Sequence, residues 1–319
     1  MGDSSTSHLL SLVKASAPGK IILFGEHAVV YNRPALAVPV TQVHVDVEVL
    51  ASPREGIWIN APGIDLHAEL NSLPADHPIG SVIFKLFSTL GISSPPALDI
   101  SIDSTIPVAA GLGSGAAVSV ALIRALALHL DHPLTNEQVN DLAFEIEKLH
   151  HGTPSGIDNT VITYAKPVYF IKDKPIETFK VGKPFTIVIG DTGIPAPTKE
   201  SVGDVRRLRM HDQHTTENIF NEIAQIALIG RRSIESGKPE QLGELMDQNH
   251  EYLQALTVSS PELDKMVDSA RKAGALGAKL SGSGRGGNMI ALVDQAKAES
   301  VADALKSAGA KRTIITQVS

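Results

Sequence analysis

Pro107-Val108-Ala109-Ala110-Gly111-Leu112-Gly113-Ser114-Gly115-Ala116-Ala117 joins an alternating stretch, Leu98 to Ile106, to a run of helix formers that reaches His129. The predicted order is a strand, a glycine-rich loop and a helix opening near Ser114. The first turn of a helix leaves backbone N–H groups without partners and carries the positive end of the helix dipole, while glycines let a ligand approach the backbone closely. Such a loop is suited to receive phosphate. No Lys-Ser/Thr pair closes it, so it is not a Walker A loop. Gly111-x-Gly113-x-x-Ala116 imitates a dinucleotide fingerprint, but a second helix follows where that fingerprint needs a second parallel strand. That helix is opened by Thr135-Asn136-Glu137-Gln138, a capping box, and carries Val139, Leu142, Ala143 and Ile146 on one face. A Rossmann reading is therefore rejected. Taken alone, the loop stays open to a plainer reading, a turn that lets a helix pack closely on a strand.

Around this loop the chain divides in two. From Leu12 to Val49 the pattern is one of strands, with apolar runs at Ile21–Phe24, Val29–Val30 and Ala35–Val40, then strict alternation from Val43 to Val49 that predicts a half-exposed antiparallel strand. Residues 52–80 carry no firm signal, and Ser81–Leu90 reads as a short amphipathic helix. Phe185–Ile189 restarts with a buried-strand run, which places a domain boundary near residues 175–185. Helices are predicted over about 215–236, 239–255 and 261–273, the last with Ser260 as N-cap, Pro261 at its first position and Gly274 as a stop. Strands follow at Ala278–Ser281, Asn288–Val293 and Thr313–Val318, with a helix over about 295–308. Without regular βαβ alternation, the class is α+β in both halves.

Composition narrows the function. The 319 residues hold 28 Lys+Arg against 35 Asp+Glu, a formal charge of −7, with no long basic run. That leaves no sequence-independent grip on a phosphodiester backbone, and small molecules are the expected partners. The chain has no cysteine, which excludes a disulfide scaffold, a thiolate nucleophile and Cys-ligated metal, and fits a reducing compartment. Any metal must use oxygen or nitrogen ligands. The longest helical apolar stretch, Ala116 to Leu130, is interrupted by Arg124 and is too short to span a bilayer. Leu9–Val13 is shorter than a signal-peptide core, and Asp3 rather than a basic cluster precedes it. Residues 1–14 are read as a flexible leader, with Gly2-Asp3-Ser4-Ser5-Thr6 a chance match to a myristoylation pattern.

Three further segments stand out. Gly282-Ser283-Gly284-Arg285-Gly286-Gly287 also reads G-x-G-x-x-G, but a strand-like run follows it, so a hairpin connection and a ligand loop are equally open. In Ala17-Pro18-Gly19-Lys20-Ile21-Ile22-Leu23-Phe24-Gly25-Glu26-His27-Ala28-Val29-Val30-Tyr31 a lysine enters an apolar strand, and Gly-Glu-His interrupts what would be continuous core. In His151-Gly152-Thr153-Pro154-Ser155-Gly156-Ile157-Asp158-Asn159 an aspartate follows a rigid turn, just after a helix carrying Glu147. Alone, Lys20 reads as a solvated strand start and Asp158 as a turn residue.

Together, and in this order, Pro18-Gly19-Lys20, Gly111-Leu112-Gly113-Ser114, Gly152-x-Pro154-Ser155-Gly156-x-Asp158 and Lys279-Leu280-Ser281-Gly282-Ser283-Gly284-Arg285-Gly286-Gly287 resemble the GHMP small-molecule kinases. Within that superfamily, Phe24 to Tyr31 and His151 to Asn159 are similar to the mevalonate kinase family, and the resemblance spans about residues 15–295. It implies a two-domain α+β fold, a ribosomal-protein-S5-like domain over residues 15–180 and a ferredoxin-like domain over 181–319, with the active site in the cleft between them. It further implies ATP as co-substrate, Mg²⁺ as cofactor, and phosphorylation of the 5-hydroxyl of mevalonate in isoprenoid biosynthesis. The setting it implies is cytoplasmic, without nucleic-acid or membrane partners, and homodimers are common among members.

By the family's pattern, Asp158 faces the attacking hydroxyl and Lys20 pairs with it. Residues 107–117 hold ATP, Glu147 binds Mg²⁺, and Glu26, His27, Ser155, Thr198 and Gly284 lie on the mevalonate side, with Lys199 a guess for the substrate carboxylate. A carboxylate paired with a cation is a weak base toward an alcohol, and suffices where the transition state is loose and the proton leaves late. Two departures matter. Many members carry a second serine where this chain has Gly115, so Ser114, water, or Glu147 with the phosphates must serve the metal instead. Asn32 stands where a glycine is frequent, and asparagine tolerates the left-handed conformation that such a turn needs. Phosphomevalonate kinase would demand more cations near the acceptor, and Arg206-Arg207-Leu208-Arg209 is the one cluster that offers them. Homoserine kinases generally lack the Lys20 and Asp158 pair. That pair also speaks against a mevalonate 3-kinase and against a silent ATP-binding regulator of the same fold.

Overall fold

The structure, a computed structural model, describes residues 12–107, 110–151, 154–196 and 198–319. Most of the predicted leader, loop residues Val108 and Ala109, and the Gly152-Thr153 step lie outside the described residues.

The first sheet forms around one long strand. β2 (Ala35–Ala51) pairs antiparallel along its length with β1 (Val13–Phe24), and its other edge pairs with β5 (Leu98–Ser104) and β6 (Val168–Phe170). β3 (Ile57–Ala61) and β4 (Leu66–Glu69) extend the β5 side, β3 lying parallel to β5, and β7 (Glu177–Thr178) closes the other end. The alternation read in β2 is realised: Val43, Val45, Val47 and Val49 are buried while Asp46 is exposed. A one-residue slip would turn four valines to solvent, at about 1.5–3 kcal/mol each, so the register is strongly specified. α1 (Pro78–Leu90), α2 (Ser114–His129), α3 (Asn136–His151) and α4 (Ile157–Tyr164) pack with this sheet. The capping box closes as read, Gln138 N–H to Thr135 Oγ1 at 3.3 Å and Thr135 N–H to Gln138 Oε1 at 2.8 Å.

The second sheet is antiparallel in the order β11 (Arg312–Val318), β8 (Phe185–Asp191), β10 (Asn288–Val293), β9 (Gly277–Ser281). Numbered along the chain within that sheet the order is 4-1-3-2, the ferredoxin-like arrangement. Between β8 and β9 run α5 (Thr198–His211), α6 (Gln213–Glu235), α7 (Leu242–Ala255) and α8 (Pro261–Lys272), and α9 (Ala298–Ala308) links β10 to β11. Ser260 caps α8 by accepting from Leu263 N–H at 3.3 Å. The α+β class expected from the sequence is the observed one.

Local readings differ from the structure in three places. Val29–Val30 is not strand but part of a 3₁₀ turn, Ala28–Tyr31, because Gly25 (φ 100°) and His27 (φ 60°) break the extended backbone. β3 and β4 occupy the stretch without signal, being short strands of five and four residues, with β4 at the edge of the sheet. α4 and α5 were not predicted: α4 is one of the shortest helices, and α5 buries only Ser201 and Val205, too few to make a periodic apolar stripe. Asn32 does take the left-handed conformation, φ 59°.

α7 approaches β9 backbone to backbone. A Cβ on Gly243 would lie 2.2 Å from the Leu276 carbonyl oxygen. In an open helix Gly→Ala gains about 0.5–1 kcal/mol, whereas here the methyl group must displace main chain. Gly243→Ala is expected to destabilise the protein by about 1–3 kcal/mol in urea unfolding; an unchanged or raised midpoint would refute the packing described.

Candidate active site

Two clusters form along and just beyond β1. In the first, the ladder between β1 and β2 shifts register at Pro18/Gly19, and the small Gly19 lets the glycine-rich loop lie against the strand. Lys20 N–H donates to Leu112 O at 3.0 Å. Its side chain, only 5% exposed, reaches Asp158 in the first turn of α4, Nζ to Oδ1 3.0 Å. Gly113 caps α2 with φ 77°, and a Cβ there would meet Ile162 Cδ1 at 2.7 Å and the Lys20 side chain at 3.1 Å. Only glycine leaves that lysine its place. Gly111 and Gly115 are exposed at the loop, Leu112, Ala116 and Ala117 are buried behind it, Ser114 is half-buried, and Pro107 and Ala110 are buried where the loop leaves the sheet.

Behind Asp158, Asn159 Nδ2 donates to Asn140 Oδ1 at 2.8 Å and Thr160 Oγ1 to Gly156 O at 2.7 Å, so α4 is fixed to α3 and to its own cap. Glu147 on α3 faces the pair. Burial first, then the Asp158 carboxylate, push its pKa up to about 8, and Lys20 offsets part of this.

The second cluster joins the end of β1 to the loop between β9 and β10. His27 Nε2 lies 3.0 Å from Ser283 O; a carbonyl only accepts, so the ring nitrogen carries the proton. Burial lowers the His27 pKa to about 4, which keeps the ring neutral at pH 7. Thr198 Oγ1 donates to Ser283 Oγ at 3.0 Å from the start of α5. Gly284 is buried at φ 76°, and a Cβ there would lie 1.9 Å from Val258 O. Glu26 is buried, and its carboxylate binds Lys279 Nζ rather than facing open space. Ser155 is half-buried and accepts from Ile157 N–H at 3.4 Å; Lys199 is exposed in the first turn of α5. The arginine cluster is taken up largely by its own surroundings: Arg207 pairs with Asp204, and Arg209 with Glu217.

The site also uses residues to which the motifs assigned no role: Lys279 and Ser281 stand in the glycine-rich segment after β9 begins, and Asn288 directly follows that segment. Lys279 pairs with Glu26, Ser281 Oγ donates to Ile22 O at 2.8 Å and accepts from Ile22 N–H, and Asn288 Nδ2 donates to Ala110 O. Lys279, a charge inside a five-residue apolar strand, was the one readable signal among them. His250 on α7 lies next to this region, its Nδ1 accepting from Leu280 N–H at 3.3 Å and its Nε2 3.1 Å from Asp264 Oδ1. Burial lowers its pKa to about 4.

A histidine whose folded pKa is depressed contributes stability that is intact above about pH 6.5 and is lost as the pH falls toward 4, because the unfolded chain takes up the proton first. His250→Gln removes that dependence. The stability difference between wild type and His250→Gln, measured by denaturant unfolding, is expected to be flat from pH 8 to 6.5 and to fall by about 2 kcal/mol or more by pH 4.5; a difference constant over that whole range would contradict a neutral buried ring.

The GHMP kinases N terminal domain family matches residues 79–166, and the GHMP kinases C terminal family matches residues 231–311. The mevalonate kinase of Thermococcus gammatolerans is 36% identical over 327 residues, covering 96% of both chains. That of Archaeoglobus fulgidus is 35% identical, over 87% of this chain and 91% of the relative. Of solved structures, L. major mevalonate kinase in complex with R-mevalonate is 28% identical, with a TM-score of 0.85 over 97% of both chains. Mevalonate kinase from methicillin-resistant Staphylococcus aureus is 32% identical, with a TM-score of 0.72 over 95% of this chain and 98% of that one. Fold, motif order and both domain matches agree, and the chain belongs to the GHMP kinases, among the mevalonate kinases.

Proposed function

We propose that this chain transfers the γ-phosphoryl group of ATP to the 5-hydroxyl of mevalonate, giving 5-phosphomevalonate and ADP. The observation that carries the reading is the Lys20–Asp158 pair, 3.0 Å apart, beside the loop that opens α2. Phosphoryl transfer asks the protein mainly for position and for neutralised charge. The exposed N–H groups at the start of α2 receive the phosphates. Asp158 Oδ accepts the hydroxyl proton as the acceptor oxygen bonds to phosphorus and the bond to the β-phosphate oxygen breaks. Lys20 holds Asp158 in line and lends positive charge to the transferring group.

Mg²⁺ fits the first cluster. Glu147, driven toward its neutral form by burial and by Asp158, is a carboxylate that a nearby cation would restore to the charged state. Among the described residues there is no group of three His, Cys, Asp or Glu placed to hold a metal, which suits an ion that takes most of its ligands from phosphate and water. Glu147 would hold it, and a Cβ at Gly115 would meet nothing within 4 Å, so the loop has room where other members carry serine. Held there by Glu147, such an ion would supply charge neutralisation on the phosphates. On the acceptor side, the neutral His27 ring, Ser283 and Thr198 offer polar contacts for a small hydroxy acid.

The test is ADP release with ATP and Mg²⁺, comparing mevalonate, 5-phosphomevalonate, homoserine and galactose, with product position read by ³¹P and ¹³C NMR. Turnover with mevalonate alone, phosphorylated at O5, is expected; turnover with another acceptor instead would overturn the substrate assignment. Asp158→Asn is expected to lower kcat by about 100-fold or more.

A further inference from the structure

The strongest unassigned feature is a charged pair with no solvent around it. Lys279 lies in β9, all five residues of which are buried, and its side chain is 0% exposed; the Glu26 side chain it meets is 1% exposed. Lys279 Nζ also donates to Leu280 O at 2.5 Å. The pair joins residues 253 apart in sequence and ties the second sheet to the turn that leaves β1. A buried ion pair is weak support for stability, because desolvation consumes most of the attraction and apolar side chains of the same volume often do as well. What such a pair does supply is a fixed local geometry, and the geometry here is unusual.

Glu26 directly precedes His27, whose backbone sits at φ 60°, ψ −46° with Ala28 N–H donating to Glu26 O at 2.7 Å. That is a γ-turn of the rare strained kind, centred on a residue with a Cβ. Strain of this sort persists only where the surroundings over-determine it. Two contacts do so: Lys279 of β9 on the Glu26 carboxylate, and Ser283 O of the loop between β9 and β10 on the His27 ring. We infer that Lys279 is a positioning residue for the acceptor side: its ion pair with Glu26 holds the strained turn, and through it the His27 ring, against the Ser283–Gly284 loop. Glu26 acts in the same way, from beneath the site. The inference rests on the reading of His27 as an acceptor-side residue.

Lys279→Met alone strands a buried carboxylate and is expected to melt at lower temperature, so the deciding variant is Glu26→Gln/Lys279→Met, which leaves no charge behind. Two readouts separate positioning from bulk stability. One is the His27 Nε2–H signal in long-range ¹H–¹⁵N spectra, assigned by its loss in His27→Gln. The other is steady-state kinetics resolved by substrate. The double variant is expected to regain most of the lost melting temperature, to lose the exchange-protected ring signal, and to fall at least about 30-fold in kcat/KM for mevalonate while KM for ATP moves less than about threefold. A double variant that folds, keeps the ring signal and keeps its kcat/KM for mevalonate overturns the inference and leaves the kinase reading intact. Wild-type protein inactive on mevalonate would overturn the kinase reading instead, and the ring signal alone would then decide the role of Lys279.

Discussion

One hydroxyl fastens the two sheets at the site. Ser281 Oγ donates to Ile22 O and accepts from Ile22 N–H, so a residue of β9 satisfies the free edge of β1. β2 is the only sheet partner of β1 among the described residues, and the other edge of β1 therefore presents unpaired backbone groups in the middle of the molecule. Such an edge must be covered. The glycine-rich loop covers it at Lys20, through Leu112 O, and β9 covers it two residues later. The phosphate loop, the Lys20 side chain and the second sheet thus all take their positions from one strand.

That arrangement explains the placement of charge. Lys20 is nearly inaccessible yet paired, and its partner Asp158 is held by the first turn of a helix that is itself bonded to α3 and to its cap. On the proposed reading the chemistry needs few moving parts, since a loose transition state gains most from groups already in line. The cost is concentrated in backbone: a strained turn at His27, glycines at 113 and 284 where a methyl group would strike Lys20 or Val258, and Glu147 forced toward neutrality without a cation. Local rules are broken at these positions, where the ligands are expected.

The fold was legible where local chemistry and tertiary packing agree. The alternating valines of β2, the capping box of α3 and the Ser260-Pro261 start of α8 each determine their own structure, and each was read correctly. α5 was not, because a helix lying on the surface with two buried residues has no stripe to read. At the site, Lys20 and Asp158 gain meaning only from their place among ordered motifs; as single residues they look like solvent and turn. The roles of Lys279, Ser281 and Asn288 were hidden for a different reason, although the charge of Lys279 stands out in its strand. Their partners lie in the other half of the chain, and the bonds of Ser281 and Asn288 are to backbone, which no side-chain pattern reveals.

If Lys20 and Asp158 act as one unit, their losses cannot add. The decisive measurement is a double-mutant cycle on kcat with Lys20→Met, Asp158→Asn and the two combined, each checked for unaltered melting temperature. A single catalytic pair predicts that the double variant is impaired about as much as the worse single variant. Losses that multiply would mean that the two residues contribute independently, and that the 3.0 Å contact between them is not the heart of the site.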